Sequence, residues 1–191
     1  MKPLKKLALA AIAALSLTAL VGAGSAQATT LFTDPAKTID YPAGTTLHLT
    51  LVSGTSLALT PGTCTDATIS ATTTNTTGAA ITATLNVFAR GGCSETTHTV
   101  ANGSLEFKYT SGSNAEAVSK GTSTTVQIFG VSCTYGTGEG TKLGTVTGGA
   151  APVLSVNTTL AKVAGGFLCP ATTGFHGQFV ITSPHAVYFG P

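Results

Sequence analysis

The side chains in this sequence with chemistry to offer are few and scattered. Cys64, Cys93, Cys133 and Cys169 are separated by 29, 40 and 36 positions. Structural zinc sites pair their ligands about two to four residues apart. His48, His98, His176 and His185 are as isolated as the cysteines, so spacing argues against a metal centre. An even number of cysteines in an exported chain reads instead as two disulfides. Three pairings are possible. Cys64–Cys93 with Cys133–Cys169 is favoured, because each bridge then closes a loop within one half of the chain, of 29 and 36 residues. Loops of that size stabilise a fold by roughly 3–4 kcal/mol each in the chain-entropy picture. The crossed pairings would tie the halves together.

Catalytic patterns are weak. Glycoside hydrolysis takes two carboxylates about 5–10 Å apart with unequal pKa values. The acids Asp34, Asp40, Asp66, Glu95, Glu106, Glu116 and Glu139 are dispersed along the chain. Asp34 and Asp40 are expected to make turn hydrogen bonds with nearby amides, and Asp66 to order the loop after Cys64. Gly130-Val131-Ser132-Cys133-Thr134 has the first glycine of a nucleophile elbow but not the last. Ser132 therefore reads as an ordinary strand residue. The glycines from Gly136 to Gly140 precede Thr141-Lys142, which lacks the Gly-Lys-Ser/Thr order that opens a phosphate-binding helix; a hairpin tip fits better. Three Asn-x-Ser/Thr sequons, at Asn75, Asn102 and Asn157, carry little weight in so Thr-rich a chain. The expectation is a protein without catalysis, cofactor or bound metal.

The N-terminus sets the compartment. Lys2, Lys5 and Lys6 precede an apolar run over residues 7–21, and Ser25-Ala26-Gln27-Ala28 follows with small residues at the cleavage positions. That is the layout of a secretory signal peptide over residues 1–28, leaving one domain over 29–191. No later apolar run is long enough to span a membrane. Of the nine Lys and Arg, three lie in the leader, so six face seven acids and the mature formal charge is −1. Such a surface has no steering field for nucleic acid or anionic lipid. Charged residues make up only 8% of the chain, and Thr, Ser and Gly take their place. Thr keeps a surface wet through its hydroxyl and favours strands.

The elements that must position these residues are strands. Leu47, Leu49 and Leu51 alternate with Thr46, His48 and Thr50, and Leu105, Phe107 and Tyr109 with Glu106 and Lys108. This two-residue period marks half-buried strands. Phe175 to Thr182 alternates less cleanly. Further strands are expected over 66–74, 81–88, 124–129, 142–147, 153–163 and 186–189. Phe88, Phe107, Phe129, Phe175, Phe179 and Phe189 read as core fillers, and Tyr135 and Tyr188 as core-edge residues with satisfied hydroxyls. Asn102-Gly103 is the sharpest hairpin signal. Residues 114–120 are the one place where a helical turn is expected. Two β halves meeting near Gly112–Asn114 echo each other weakly.

The run Cys133-Thr134-Tyr135-Gly136-Thr137-Gly138, then Cys169-Pro170, Phe175-His176-Gly177-Gln178-Phe179 and Ile181-Thr182-Ser183-Pro184, resembles small exported Thr/Gly-rich β proteins of actinobacteria with two cysteine pairs. The resemblance implies export, disulfides and a bacterial source, and no functional residues. The expected fold is all-β: an antiparallel two-sheet sandwich or flattened barrel, after an N-terminal signal helix. The expected function is a secreted or surface-associated structural or binding module, with self-association through exposed sheet edges as its partner mode. The alternatives are a secreted hydrolase using the dispersed carboxylates, and a small-ligand carrier, which needs a wide apolar barrel interior lined by Leu and Phe.

Overall fold

The computed structural model describes residues 27–94, 97–101, 103–128 and 130–191. Nearly all of the leader, with its expected signal helix, lies outside them, as do Glu95, Asn102, Phe129 and the His98 side chain. The described chain is all-β. Strand β1 (Thr29–Phe32) precedes β2 (Thr46–Leu51), which runs on after a turn into β3 (Leu57–Leu59). The long strands β4 (Gly62–Thr73) and β6 (Ile81–Cys93) flank the two-residue β5 (Thr77–Gly78). Three interrupted strands follow: β7 (Thr97–Ala101) continues into β8 (Ser104–Ser111), β9 (Asn114–Lys120) into β10 (Ser123–Ile128), and β11 (Val131–Gly136) into β12 (Thr141–Thr147). Then come the long β13 (Val153–Ala164) and β14 (Thr172–Ser183), and the short β15 (Tyr188–Gly190).

Taken as staves, these strands form one antiparallel up-and-down barrel. Each stave pairs with the next in sequence, and the last closes on the first through Leu49↔Ile181 and Leu51↔Phe179. The lower half is a closed ring of eight strands: β2, β4, β6, β8, β9, β12, β13 and β14. The flattened-barrel expectation is the form taken, not the two-sheet sandwich. Closure fixes which side chains face inward. Leu47, Leu49, Leu105, Phe107, Leu154, Phe179 and Ile181 are all buried, each stabilising the fold by about 1.5–3 kcal/mol. The alternate positions carry hydroxyls outward, and some pair across strands: Thr46 Oγ1 with Thr72 Oγ1 at 3.1 Å, and Thr125 Oγ1 with Thr134 Oγ1 at 2.8 Å. This is the reverse of the apolar outer band that a lipid-facing barrel needs. Among the described residues, no helix is long and apolar enough to cross a membrane.

A second, small sheet seals the base. β1 lies between β15 and β5, with Leu31 opposite Phe189. Both are buried, and the Phe189 ring meets that of Phe107 at a centroid distance of 5.8 Å. The Tyr109 N–H donates to Thr29 Oγ1 at 2.9 Å, tying β1 to the ring, and the Tyr41 hydroxyl donates to the Ala186 carbonyl at 2.8 Å, joining the segment before β2 to the one before β15.

The upper half is laced less completely. The β6–β8 ladder runs from Ile81↔Phe107 to Thr84↔Ser104, and the Leu85 N–H donates to the Gly103 carbonyl just above it. Beyond that, β6 continues to Cys93 while β7 pairs with β10; no ladder joins β6 to β7 among the described residues. Both disulfides lie in this half. Cys64–Cys93 links facing residues of β4 and β6, with Cα atoms 3.8 Å apart. Cys133–Cys169 ties β11 to the β13–β14 loop, at 5.5 Å.

Three local expectations are corrected. Residues 114–120 are strand, not helical turn. Ala115, Ala117 and Ser119 are small inward residues, and β9 is hydrogen-bonded on both sides, by β8 and β12. Pairing on two flanks overrides alanine's helical propensity. Residues 137–140 are not a hairpin tip, and Gly103 does not sit in a hairpin turn; both lie where a stave is interrupted and runs on. Gly103 is required for close approach: a Cβ there would stand 2.1 Å from the Lys120 carbonyl oxygen and 2.6 Å from the Thr122 nitrogen.

Three outcomes are expected in urea melts of the protein. Gly103→Ala lowers stability by about 1–3 kcal/mol through overpacking, whereas Gly166→Ala, whose new methyl meets nothing within 4 Å, changes it by less than about 0.5 kcal/mol. Replacing Cys133 and Cys169 together by Ser lowers it by roughly 3–4 kcal/mol.

Candidate functional site

The lumen holds the only unusual chemistry that the described residues assemble. β6 creates it through a bulge. Ser70 of β4 faces Val87 and the next residue, Ala71, faces Leu85, so Asn86 is an extra residue. A bulge of one residue inverts the inward–outward phase beyond it. Below the bulge Ile81, Ala83 and Leu85 point inward. Above it Phe88 and Arg90 do so instead, opposite the buried Ile69 and Ala67 of β4. Val87 is turned outward and is 48% exposed.

At the height of the bulge the barrel is not filled. A cavity of about 40 Å³ lies among Leu85 and Phe88 of β6, Leu105 of β8, Leu143 of β12, Leu154, Val156 and Leu160 of β13, and Phe175 of β14. That is space for about three waters on a scale where one needs about 10–15 Å³. The cause is visible in the opposite wall. Staves β9/β10 and β11/β12 are interrupted there, and the side chains at the joints are short. Ser119 Oγ donates to Thr122 Oγ1 at 2.9 Å, the Thr122 N–H donates to Thr137 Oγ1 at 3.0 Å, and the Thr137 N–H donates to the Thr122 carbonyl at 2.9 Å. This knot satisfies its own polar groups.

Thr124 does not share in it. It lines the same cavity, is 4% exposed, and its hydroxyl is buried without a hydrogen-bond partner. A buried hydroxyl with no partner costs about 1–3 kcal/mol. Across the lumen Phe88 and Phe175 meet edge to face, with centroids 6.0 Å apart. The Arg90 guanidinium lies over the Phe88 ring, 5.5 Å from its centroid, and its Nη1 is buried without a partner. Burial pulls the Arg90 pKa below the usual guanidinium value.

The lysines among the described residues are committed elsewhere. Lys120 meets Glu106 and Lys142 meets Glu116, each at 2.5 Å, and Lys108 lies 3.9 Å from Glu106. Lys37 donates to the Gly112 carbonyl. Lys162 donates to the carbonyls of Gly166 and Cys169, anchoring the loop that carries Phe167 and Leu168 into solvent.

The remaining candidates from the sequence are placed as follows. Glu106 and Glu116 are spent in those ion pairs; Asp40, Asp66 and Glu139 are exposed. Asp34 accepts from the N–H groups of Thr38 and Ile39 and from the Thr38 hydroxyl. Desolvation acts against its ionisation, but these bonds together outweigh it and hold the carboxyl below its ordinary value. No described carboxylate lines the lumen cavity. Tyr135 is fully buried, its hydroxyl donates to the Pro170 carbonyl at 3.2 Å, and burial raises its pKa. Ser132 is an exposed strand residue that accepts from Gln127 Nε2 at 2.8 Å. Asn75 uses its amide at both ends to hold the β4–β6 loop, donating to the Ala80 carbonyl and accepting from the Thr82 N–H, each at 2.8 Å. No group of three or more His, Cys, Asp and Glu able to hold a metal is present among the described residues.

The chain matches no protein-family model and no curated protein, and its fold matches no solved structure.

Replacing an orphaned hydroxyl by a methyl of the same shape removes the desolvation penalty. Thr124→Val is expected to raise stability by about 1 kcal/mol, while Thr137→Val, which breaks the satisfied knot, lowers it by a similar amount. Paired urea titrations check both signs.

Proposed function

We propose that this protein is an exported, non-catalytic binding module that holds a small, largely apolar molecule inside its barrel. The observation that carries this reading is the unfilled lumen: Leu and Phe walls around a gap into which one unpartnered hydroxyl, that of Thr124, is directed. Ligand sites are typically of this kind, apolar with a few placed polar groups, and a barrel of about eight strands is wide enough for one small ligand. The two bridges are consistent with an oxidising compartment outside the cytoplasm, as the leader and the resemblance to exported actinobacterial β proteins imply. A hydrolase reading finds less support, because the described acids are exposed, ion-paired at the outer face or, for Asp34, bonded within their own turn.

The test uses the mature protein and straight-chain alcohols from butanol to octanol. Saturable one-to-one heats in calorimetry and a matching rise in Tm are expected. Val156→Phe, which fills the gap, should weaken binding at least tenfold while the circular dichroism spectrum stays that of the parent. If neither the alcohols nor the matching carboxylic acids raise Tm or give a saturable heat, the carrier reading is wrong.

A further inference from the structure

We propose that the ligand is a small monocarboxylic acid, with its carboxylate on Arg90 and its aliphatic tail passing Phe88 into the lumen; this rests on the reading of the lumen as a binding site. Arg90 is the only arginine in the chain. Each of the five mature lysines has an oxygen partner. Among the described residues Arg90 has none: its contact is the face of Phe88, and Nη1 is both buried and without a partner.

A guanidinium with one nitrogen buried and no counter-charge is costly, and structures normally pair it. Here the chain makes a specific arrangement to keep it inward. The extra residue Asn86 turns Arg90 and Phe88 into the barrel and exposes Val87 in exchange. Without the bulge, Val87 and Ala89 would face the interior and Arg90 would reach water. A device that puts an apolar residue outside and a cation inside disfavours the empty protein and favours one that holds an anion.

The chemistry of that anion follows from its surroundings. The planar guanidinium fork matches a carboxylate in bidentate geometry. One cation neutralises one negative charge, so a dicarboxylate or phosphate monoester would bury a second charge unpaired. Phe88 both supports Arg90 and lines the cavity, so a group held by Arg90 directs its tail along Phe88 toward the Leu walls. The space is small, which sets short chains as the natural fit.

The experiment compares butyrate, hexanoate and octanoate with the matching alcohols by calorimetry on the mature protein. The acids are expected to bind at least tenfold more tightly than the alcohols, with the preference shrinking as the pH falls through the acid's own pKa and as salt rises. Arg90→Gln should erase the preference; Arg90→Lys, which keeps the charge and loses the fork, should reduce it several-fold; Gly166→Ala, which lies outside the cavity lining and meets nothing within 4 Å, should leave it intact. Alcohols binding as tightly as acids would overturn the carboxylate proposal and leave the carrier reading standing, as would a preference that survives Arg90→Gln. If neither class binds, both readings fall. Should Arg90→Gln not fold, the pH and salt profiles of the parent and the Arg90→Lys affinities decide.

Discussion

Closing eight strands on themselves fixes the width of the space they enclose, and the rest of this structure answers to that constraint. The ring needs long inward side chains at every level to be solid. It has them at the bottom, where Leu31, Phe107 and Phe189 meet. It lacks them midway up, where Ser119, Thr122 and Thr137 occupy the joints of two interrupted staves. The joints need short residues because the backbones approach closely there, as the contacts around Gly103 show. The cavity is the geometric remainder of that crowding: what the joints require of their own side chains, the opposite wall cannot fully refill.

The same constraint explains where the covalent bonds went. Backbone ladders hold the lower ring on every flank. The upper half has one flank, between β6 and β7, without a ladder among the described residues, and both bridges are in that half. Cys64–Cys93 secures β6 to β4, the neighbour on its paired side, and Cys133–Cys169 secures the loop above β11. Sulfur does there part of the work that hydrogen bonds do below. With so few charges available, the outer face is kept wet by hydroxyls, several of them paired across strands.

Much of the fold was legible in the sequence because closure preserves the two-residue period. β2, β8, β12 and β13 fall close to where alternation or β-branched runs place them. What was not legible has a common cause. A glycine-rich interruption looks the same whether the chain reverses or merely bends and carries on, so the segments at 103 and 137–140 resembled turns. β9 was obscured by its alanines, which are small because they face a crowded interior rather than because they favour helix. The candidate site was hidden most thoroughly. In Leu85-Asn86-Val87-Phe88-Ala89-Arg90 simple alternation puts Leu, Val and Ala inside and Arg outside. Only the register against β4 shows that Asn86 breaks the count. A local pattern cannot announce a bulge whose existence depends on the partner strand.

The seam that joins the last stave to the first has a further consequence. Leu49 and Ile181, partners across it, stand 132 positions apart in sequence, and β1 pairs with β15 across a similar span. A ribosome delivers the chain from one end, so β2 must wait with a bare flank until nearly everything else has been made. Truncation at the C-terminus therefore does not yield a smaller cylinder. It yields an open, curved sheet with two adhesive margins, because β14 is the strand that closes the seam against β2.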